Sequence, residues 1–229
     1  MTDWYKIKRI LVGTQQVYPA GWKPWANTVA YYPLTSDTND YSWNSRNLTN
    51  SWATIWTYWW VICAYYDWWD YSCYSWYWLN SPRTICLRWY NTNTTGWYYW
   101  WLIHISQYSN NTPSWSLGLQ YIWSSIITPA DWSSASAEIQ TSITSWWHNI
   151  VVTEDSSRTV TLYIDGVSKW TKSYSSPATP DGWSLWSKFV STFSEKLRWY
   201  LSKVILENKA RTAQEITAYY NLTKSNYGL

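Results

Sequence analysis

The sequence predicts an all-β fold, a sandwich of two antiparallel sheets, followed by one short helix. Short strand-like segments, separated by clusters of Ser, Thr, Asn, Asp and Gly, run from about residue 28 to residue 206. Convincing helical spacing occurs only near the C-terminus, at 212–221. The 229 residues suit one large β domain or two small ones, and they are enough to bury a substantial core.

Alternating side chains identify the central strands. Segment 84–90 places three apolar side chains on an inward face and three residues, Arg88 among them, on the opposite face. The inward residues are Ile85, Leu87 and Trp89. Segment 102–106 alternates in the same way, with His104 on its more polar side. We therefore expect Trp89 to belong to the core and not to a ligand platform.

The clearest hairpin joins a strand at 148–153 to a strand at 158–164. The connection at 154–157 is polar, and Asp165-Gly166 closes the second strand with a strong turn signal. This pattern predicts two neighbouring antiparallel strands with a further turn after them.

The C-terminal segment has the pattern of a capped helix. Thr212 can cap the first turn, and Glu215 stands three residues on, as in a capping box. Ile216, Tyr219 and Tyr220 have helical spacing. The segment 212–221 is thus predicted to be a helix packed against the β domain.

The composition has one anomaly, which is 25 tryptophans beside only 7 glycines. An ordinary chain of this length has roughly 16 glycines, at about 7% of residues. Several tryptophans also stand in turn-like strings such as Ser42-Trp43-Asn44 and Gly182-Trp183-Ser184. Such turns favour positive φ, which glycine tolerates and a bulky indole does not.

Two interpretations of the tryptophans follow. In the first, twenty of them are UGA codons that the source organism translates as glycine. The five genuine tryptophans would then be Trp4, Trp22, Trp25, Trp89 and Trp147. In the second, all are genuine and form stacking platforms or an aromatic core.

Charge and hydropathy exclude several classes of protein. Charged residues make up 14% of the chain and the net charge is +3, which is too small to indicate a nucleic-acid partner. The N-terminus lacks the apolar region and cleavage site of a signal peptide. With the suspect tryptophans discounted, no run of eighteen apolar residues predicts a membrane span.

The cysteines and histidines do not have the spacing of a zinc site. Cys63, Cys73 and Cys86 contain no CxxC motif, and His104 and His148 are far apart along the chain. A disulfide between Cys63 and Cys73 is one alternative. Free, partly buried thiols are the favoured interpretation.

Four stretches, in order along the chain, resemble one known family. They are VAYYPL at 29–34 leading to Asn39-Asp40 and NLT at 47–49, WHNIVVT at 147–153 with LYIDG at 162–166, LRWYLSKVIL at 197–206, and TAQEI at 212–216 with Tyr219-Tyr220. Together they resemble concanavalin A-like, laminin-G-type domains over roughly residues 27 to 222. This resemblance implies a two-sheet antiparallel jelly-roll sandwich with a short C-terminal helix.

The resemblance also divides the chain and sorts some tryptophans. Residues 26–229 would form the jelly-roll domain, and residues 1–25 resemble attachment segments that precede such domains in phage and bacterial surface structural proteins. Trp147 matches a tryptophan of the family, whereas Trp146 and Trp199 stand at positions where glycine suits the family's fold. A virion or cell-surface location, with assembly into a larger particle or surface structure, would follow.

The sequence lacks the catalytic signature of glucanases that share this fold. Those enzymes usually carry a Glu-x-Asp-x-Glu strand, which sets alternate carboxylates on one face, as glycoside hydrolysis needs. No such string occurs, and Glu154-Asp155 are adjacent residues in a hairpin loop. The prediction is a non-catalytic module, with a divergent glycoside hydrolase of the same fold as an alternative.

The resemblance implies binding of a glycan or a surface protein, and the alternative is a purely structural protein without sugar affinity. The carbohydrate-binding candidates are Arg88, Tyr90 and His104 on the polar faces of their strands, although solvated or structural roles would also explain them. Family members often hold calcium at a loop rim. Asp37 or Asp40 could provide carboxylate ligands for such an ion.

Overall fold

The structure is a computed structural model of the chain. It describes residues 10–12, 15–17, 27–51, 53–58, 60–66, 71–75, 79, 81–91, 100–106, 117–122, 125–127, 141–173, 182–185 and 199–228.

The described residues form seventeen strands and one α-helix. The strands are β1 (Ile10–Val12), β2 (Gln15–Val17), β3 (Thr28–Tyr32), β4 (Thr49–Ser51), β5 (Thr54–Tyr58), β6 (Val61–Tyr66), β7 (Tyr71–Ser75), β8 (Arg83–Tyr90), β9 (Trp100–Ser106), β10 (Leu117–Ile122), β11 (Ser125–Ile127), β12 (Thr141–Ser142), β13 (Trp147–Glu154), β14 (Thr159–Ile164), β15 (Val167–Ser173), β16 (Gly182–Leu185) and β17 (Trp199–Glu207). Helix α1 spans Ala213–Thr223, and a 3-10 helix follows at Lys224–Tyr227.

The strands form two large antiparallel sheets. One has eight strands in the order β15-β14-β13-β8-β17-β6-β5, with β3 also paired to β17. The other has seven strands in the order β12-β11-β10-β9-β16-β7-β4, and β1 and β2 form a separate hairpin. The predicted fold class, an antiparallel two-sheet sandwich with one C-terminal helix, is confirmed.

The main core lies between the two sheets. Ile85, Leu87 and Trp89 of β8 enter it from the eight-stranded sheet, and Leu102 and Trp183 enter it from the other sheet. These five side chains are fully buried. Strand β8 is buried along its whole length, because its opposite face is covered by the C-terminal helices. The predicted core position of Trp89 is confirmed.

The predicted hairpin is also present. Strands β13 and β14 pair with Ile150 opposite Ile164, and the turn after β14 contains Asp165 and Gly166, both at positive φ. Gly166 also lies against the C-terminal helix, where an added Cβ would come within 3.1 Å of Tyr220. The turn therefore favours glycine for both its backbone conformation and its packing.

Helix α1 begins as the sequence predicts. The Thr212 side chain accepts a hydrogen bond from the Glu215 backbone N–H, and the Glu215 carboxylate accepts one from the Thr212 N–H. These reciprocal bonds are the capping box. Ile216, Tyr219 and Thr223 form the buried side of the helix.

The C-terminal helices cover the outer face of the eight-stranded sheet. Two clusters of buried side chains lie there, one under α1 and one under the 3-10 helix. The first contains Cys86, Val151, Tyr163, Ile205, Ile216 and Tyr219. The second contains Val61, Cys63, Tyr90, Trp147 and Tyr227. We call this surface the helix-covered face.

The first and last strands of the sandwich are neighbours. Strand β3 pairs antiparallel with β17, with Tyr31 opposite Ile205. Just beyond this pairing, the Asn208 N–H donates to the Asn27 carbonyl at 3.0 Å. The chain therefore starts and completes the sandwich at the same place in the sheet.

The described tryptophans agree with the turn argument only in part, because Trp43 lies in the predicted turn whereas Trp183 does not. Among the described residues other than glycine, positive φ occurs at Leu34, Ser45, Arg158 and Asp165, and none of these is tryptophan. The predicted turn at Gly182-Trp183-Ser184 is wrong, because these residues belong to strand β16. Trp183 is fully buried there, because its side chain enters the core between the two sheets.

The three cysteines are free, as favoured from their spacing. Cys63 and Cys73 lie in different sheets, so no disulfide joins them. Among the described residues, no helix has the length and apolar character needed to cross a membrane.

Candidate functional site

Three tyrosines form a half-buried aromatic surface on the eight-stranded sheet, which we call the tyrosine platform. The rings of Tyr58 and Tyr200 are stacked with centroids 3.9 Å apart and planes at 18°. Tyr65 lies beside Tyr200 at 5.3 Å. All three side chains retain partial solvent exposure. The platform is thus a set of closely packed rings at the protein surface.

The strand register brings these tyrosines together. Tyr58 is opposite Val61, and Tyr65 is opposite Tyr200. Because paired residues of antiparallel strands project to the same face, all three rings lie on the side that carries the helices. Because the three rings remain partly exposed, the platform continues the helix-covered face into solvent.

The platform is supported from below by buried aromatic side chains. Tyr90 contacts Tyr58 edge-on at 4.7 Å, and it packs against Trp147 at 5.5 Å. Tyr90 itself is 6% exposed. Packing of this kind holds the platform rings in fixed orientations, which lowers the entropic cost of binding a ligand.

Two exposed tryptophans flank the platform. Trp56 is 59% exposed and Trp60 is 55% exposed. Trp60 lies 6.4 Å from Trp146, and its ring approaches Gly228 at the end of the 3-10 helix. The exposed apolar area therefore extends beyond the tyrosines along the β5–β6 hairpin.

The Tyr200 hydroxyl of the platform has a raised pKa and stays neutral at physiological pH. Burial, together with the neighbouring Tyr58 and Tyr65 hydroxyls, raises the pKa of Tyr200. Burial also raises the pKa of the Cys63 thiol, which lies on the same face, to about 12. A thiol held in this protonated form is a poor nucleophile. The groups that the site offers to a ligand are therefore its rings and hydroxyl groups.

The carbohydrate-binding residues predicted from the sequence are not brought together at the surface. Arg88 is fully buried under the 3-10 helix, and Tyr90 lies beneath the platform. The backbone of His104 belongs to β9 in the other sheet, and its side chain lies outside the described residues. Tyr90 thus contributes to the site as a support for Tyr58.

Asp40 organises the loop that follows β3. One carboxylate oxygen accepts from the N–H groups of Tyr31 and Ser42, each at 2.8 Å. The other accepts from the Ser42 hydroxyl at 2.7 Å and from the Arg46 N–H at 2.8 Å. Four donors therefore point at a carboxylate that is only 8% exposed.

These contacts do not fit a calcium ion at Asp40, because calcium needs six to eight oxygen ligands and the group is surrounded by donors. Asp37 accepts from the Asn39 N–H and the Tyr41 hydroxyl. Among the described residues, no group of three or more His, Cys, Asp or Glu side chains is placed to hold a metal ion.

The acidic residues of the hairpin also have structural partners. Glu154 is buried and accepts from Arg83 Nε at 2.6 Å. Asp155 accepts from the Ser157 hydroxyl and the Thr159 N–H, and these bonds lower the pKa of its carboxyl. Glu154 and Asp155 are therefore occupied in stabilising the hairpin.

The sequence analysis missed the tyrosine platform. Alternation of Trp56 and Tyr58 along β5 was a visible signal for an aromatic face. The position of Tyr200 next to them depends on the pairing of β17 with β6, which joins segments far apart in the chain. Local patterns carry no information about such a pairing.

The chain is similar to known proteins in its structure but not in its sequence. No protein-family model matches the sequence. The search of curated proteins also finds no match.

Three solved structures illustrate the similarity. The first is domain 4 of AbnA, an extracellular arabinanase of glycoside hydrolase family 43 from Geobacillus stearothermophilus, which was solved in complex with arabinotriose. It matches with a TM-score of 0.66 at 12% identity, covering 84% of this chain and 97% of that one. Botulinum neurotoxin type C, described by its interaction with two ganglioside molecules, matches with a TM-score of 0.62 at 10% identity, covering 85% of this chain and 51% of that one. Trypanosoma rangeli sialidase, as a mutant displaying trans-sialidase activity, matches with a TM-score of 0.65 at 12% identity, covering 90% of this chain and 34% of that one.

The chain spans nearly all of the arabinanase domain, about half of the neurotoxin chain and about a third of the sialidase chain. At identities of 10% to 12%, these likenesses establish the fold. The chain thus shares its antiparallel sandwich fold with these three proteins.

Proposed function

We propose that this domain is a non-catalytic carbohydrate-binding module and that the tyrosine platform is its glycan-binding surface. The observation that carries the proposal is the stacked pair of Tyr58 and Tyr200, half-buried and held from below by Tyr90. Tyrosine rings offer apolar faces to the C–H groups of a sugar, and their hydroxyls bond to sugar hydroxyls.

The structural neighbours support this choice of ligand. The arabinanase domain was solved with arabinotriose, and the neurotoxin is described with ganglioside molecules. Both proteins share the sandwich fold with this chain. A fold can host unrelated functions, so the proposal depends on the platform itself and the neighbours supply the class of ligand to test.

Binding without catalysis is the function that the described acidic residues favour. Glycosidases place two carboxyl groups on either side of the scissile bond. Here Glu154 is paired with Arg83, and Asp40 is surrounded by backbone donors. The divergent glycosidase remains a competing hypothesis, which release of reducing sugar from polysaccharides would support.

Substitution of platform residues tests the proposal. We expect Tyr58→Ala and Tyr65→Ala each to weaken glycan binding about tenfold, which corresponds to about 1.4 kcal/mol of lost stacking. Affinity would be measured by calorimetry with arabinotriose and with a ganglioside oligosaccharide. Circular dichroism would verify that each variant is folded.

Tyr41→Ala provides the matched control, because Tyr41 is an exposed tyrosine in a different part of the chain, the loop after β3. Its affinity should equal that of the unsubstituted chain. Unchanged binding in both platform variants would show that the glycan binds at another surface of the domain. Absence of binding by the unsubstituted chain to a broad glycan panel would favour the purely structural alternative.

We further propose a laminin-G-type domain at 26–229, with residues 1–25 as its attachment segment in a phage or bacterial surface structural protein. The β1–β2 hairpin lies in that segment and pairs with neither large sheet. Deletion of residues 1–25 should leave glycan affinity unchanged and abolish assembly with the parent particle. Loss of affinity on deletion would instead place the segment within the binding domain.

We also propose that most of the twenty suspect tryptophans are glycine in the source organism. Trp43 supports this, since it is 85% exposed and contributes little to the core. Trp183 is an exception, because it is fully buried. We expect UGA codons at the other suspect positions, and UGG at Trp183 and at the five genuine positions. UGG throughout would exclude recoding. The three platform tyrosines are unaffected by either outcome.

A further inference from the structure

Arg88 is a fully buried cation on the helix-covered face. Its Nη2 donates to the Thr223 hydroxyl of α1 at 2.5 Å. Its Nε and Nη1 atoms are buried and have no hydrogen-bond partner within the described part of the chain. Two donors of a charged group are therefore left unsatisfied, which is costly in a protein interior.

A second cation lies directly opposite. Lys203 of β17 is the strand partner of Arg88, and paired residues project to the same face. Lys203 is half-buried. Like charges at opposite positions of a sheet repel each other, and the repulsion grows as the pair is removed from water.

The ion pairs formed by the described acidic residues involve other partners. They join Arg83 to Glu154, His148 to Asp165, Lys209 to Glu215, and Arg211 to Glu207. Within the same described ranges, no carboxylate forms an ion pair with Arg88 or Lys203. The local charge on this part of the face is therefore close to two positive units.

The remaining surroundings offset only part of this charge. The Arg88 guanidinium lies 4.7 Å from the centroid of the Tyr227 ring and 5.6 Å from that of Tyr220. These ring faces attract a cation but accept no hydrogen bond from Nε or Nη1 in the structure. The C-terminal end of α1 adds roughly half a negative charge. The positive charge is therefore partly offset, whereas Nε and Nη1 of Arg88 still lack an acceptor among the described residues.

We propose that a small inorganic anion, of the size of chloride, binds between β8, β17 and the C-terminal helices, where Arg88 and Lys203 hold it. The anion would accept hydrogen bonds from the two free guanidinium donors and would separate the two cations. Binding would couple the sheet to α1 through Arg88 and Thr223. This site lies under the helices and is independent of the tyrosine platform.

Thermal unfolding tests the proposal with chloride as the probe. Chloride would be exchanged at constant ionic strength for gluconate, an anion much larger than chloride. A ligand that binds only the folded state stabilises it in proportion to the logarithm of one plus the ligand concentration divided by its dissociation constant, so the midpoint keeps rising once chloride exceeds that constant. For a domain of this size we expect a rise of roughly 5–10 °C at a chloride concentration about one hundred times the dissociation constant. A crystal grown in bromide should show an anomalous peak beside the Arg88 guanidinium.

Substitutions assign the effect to the site. Arg88→Met should abolish the chloride dependence, and Lys203→Met, a half-buried position that tolerates change more readily, should weaken it at least tenfold in apparent affinity. Lys169→Met is the control, because Lys169 is exposed on β15 and should leave the dependence intact. The proposal fails if the midpoint of the unsubstituted chain does not rise with chloride at constant ionic strength, or if Lys203→Met retains the full response without a bromide peak.

Discussion

Replacing Trp183 by glycine is expected to lower the free energy of unfolding by about 3–5 kcal/mol, the usual cost of truncating a buried tryptophan. The indole is fully buried between the sheets and stacks on Tyr74 at 4.9 Å. Its Nε1 also donates to the Tyr32 hydroxyl at 3.2 Å. Glycine would leave a cavity and a buried hydroxyl with one partner fewer. Urea unfolding followed by circular dichroism would measure the loss.

Trp43→Gly is the matched control for this measurement. Trp43 is also one of the suspect tryptophans, but it is 85% exposed. Its replacement should change the free energy of unfolding by no more than about 0.5 kcal/mol, as at most surface positions. Equal losses in the two variants would contradict the core assignment of Trp183. A negligible loss at both positions would favour glycine as the native residue at each.

Arg83→Met is expected to destabilise the domain by about 3–5 kcal/mol, because it leaves the Glu154 carboxylate buried without its partner. The two residues face each other across β8 and β13, at 1% and 6% exposure. Arg83 also donates to the Leu79 carbonyl at 2.8 Å. Burial lowers the pKa of the guanidinium, and the attraction of Glu154 opposes this effect. Chemical denaturation would measure the change.

A double substitution separates the ion pair from simple loss of packing. Arg83→Met combined with Glu154→Leu should recover most of the lost stability, since apolar pairs commonly replace buried ion pairs without penalty. Lys209→Met removes an ion pair with Glu215 that is partly exposed, and it should cost at most about 1 kcal/mol. If the double variant is as unstable as Arg83→Met alone, the Arg83 hydrogen bond to Leu79 would be the dominant contribution.

Local patterns in the sequence were sufficient for much of the fold. Alternation in 84–90 identified β8 and the inward position of Trp89, and the spacing of Thr212 and Glu215 identified the start of α1. Each of these signals operates within a few residues, so a single segment contains all of the information needed.

The candidate site depends on information that single segments lack. The outer face of β8 reads as polar because it carries Arg88, yet the structure buries this residue under helices that follow much later in the chain. Tyr200 joins Tyr58 only through sheet pairing. The turn argument for Trp183 was wrong because serine and glycine neighbours also occur in strands that lie inside a sheet.

The adjacency of β3 and β17 determines how such a domain can be built into a larger protein. The two strands are hydrogen-bonded neighbours, and Asn27 and Asn208 are joined by a backbone bond. Because its two ends are close together, the sandwich can be inserted into a surface loop of a host protein. The strands of the host that flank this loop can then stay paired. Mechanical force applied across these two ends would peel β17 from β3, breaking their hydrogen bonds one after another. Because that strand also pairs with β8 and β6, its removal would open the sandwich from its centre.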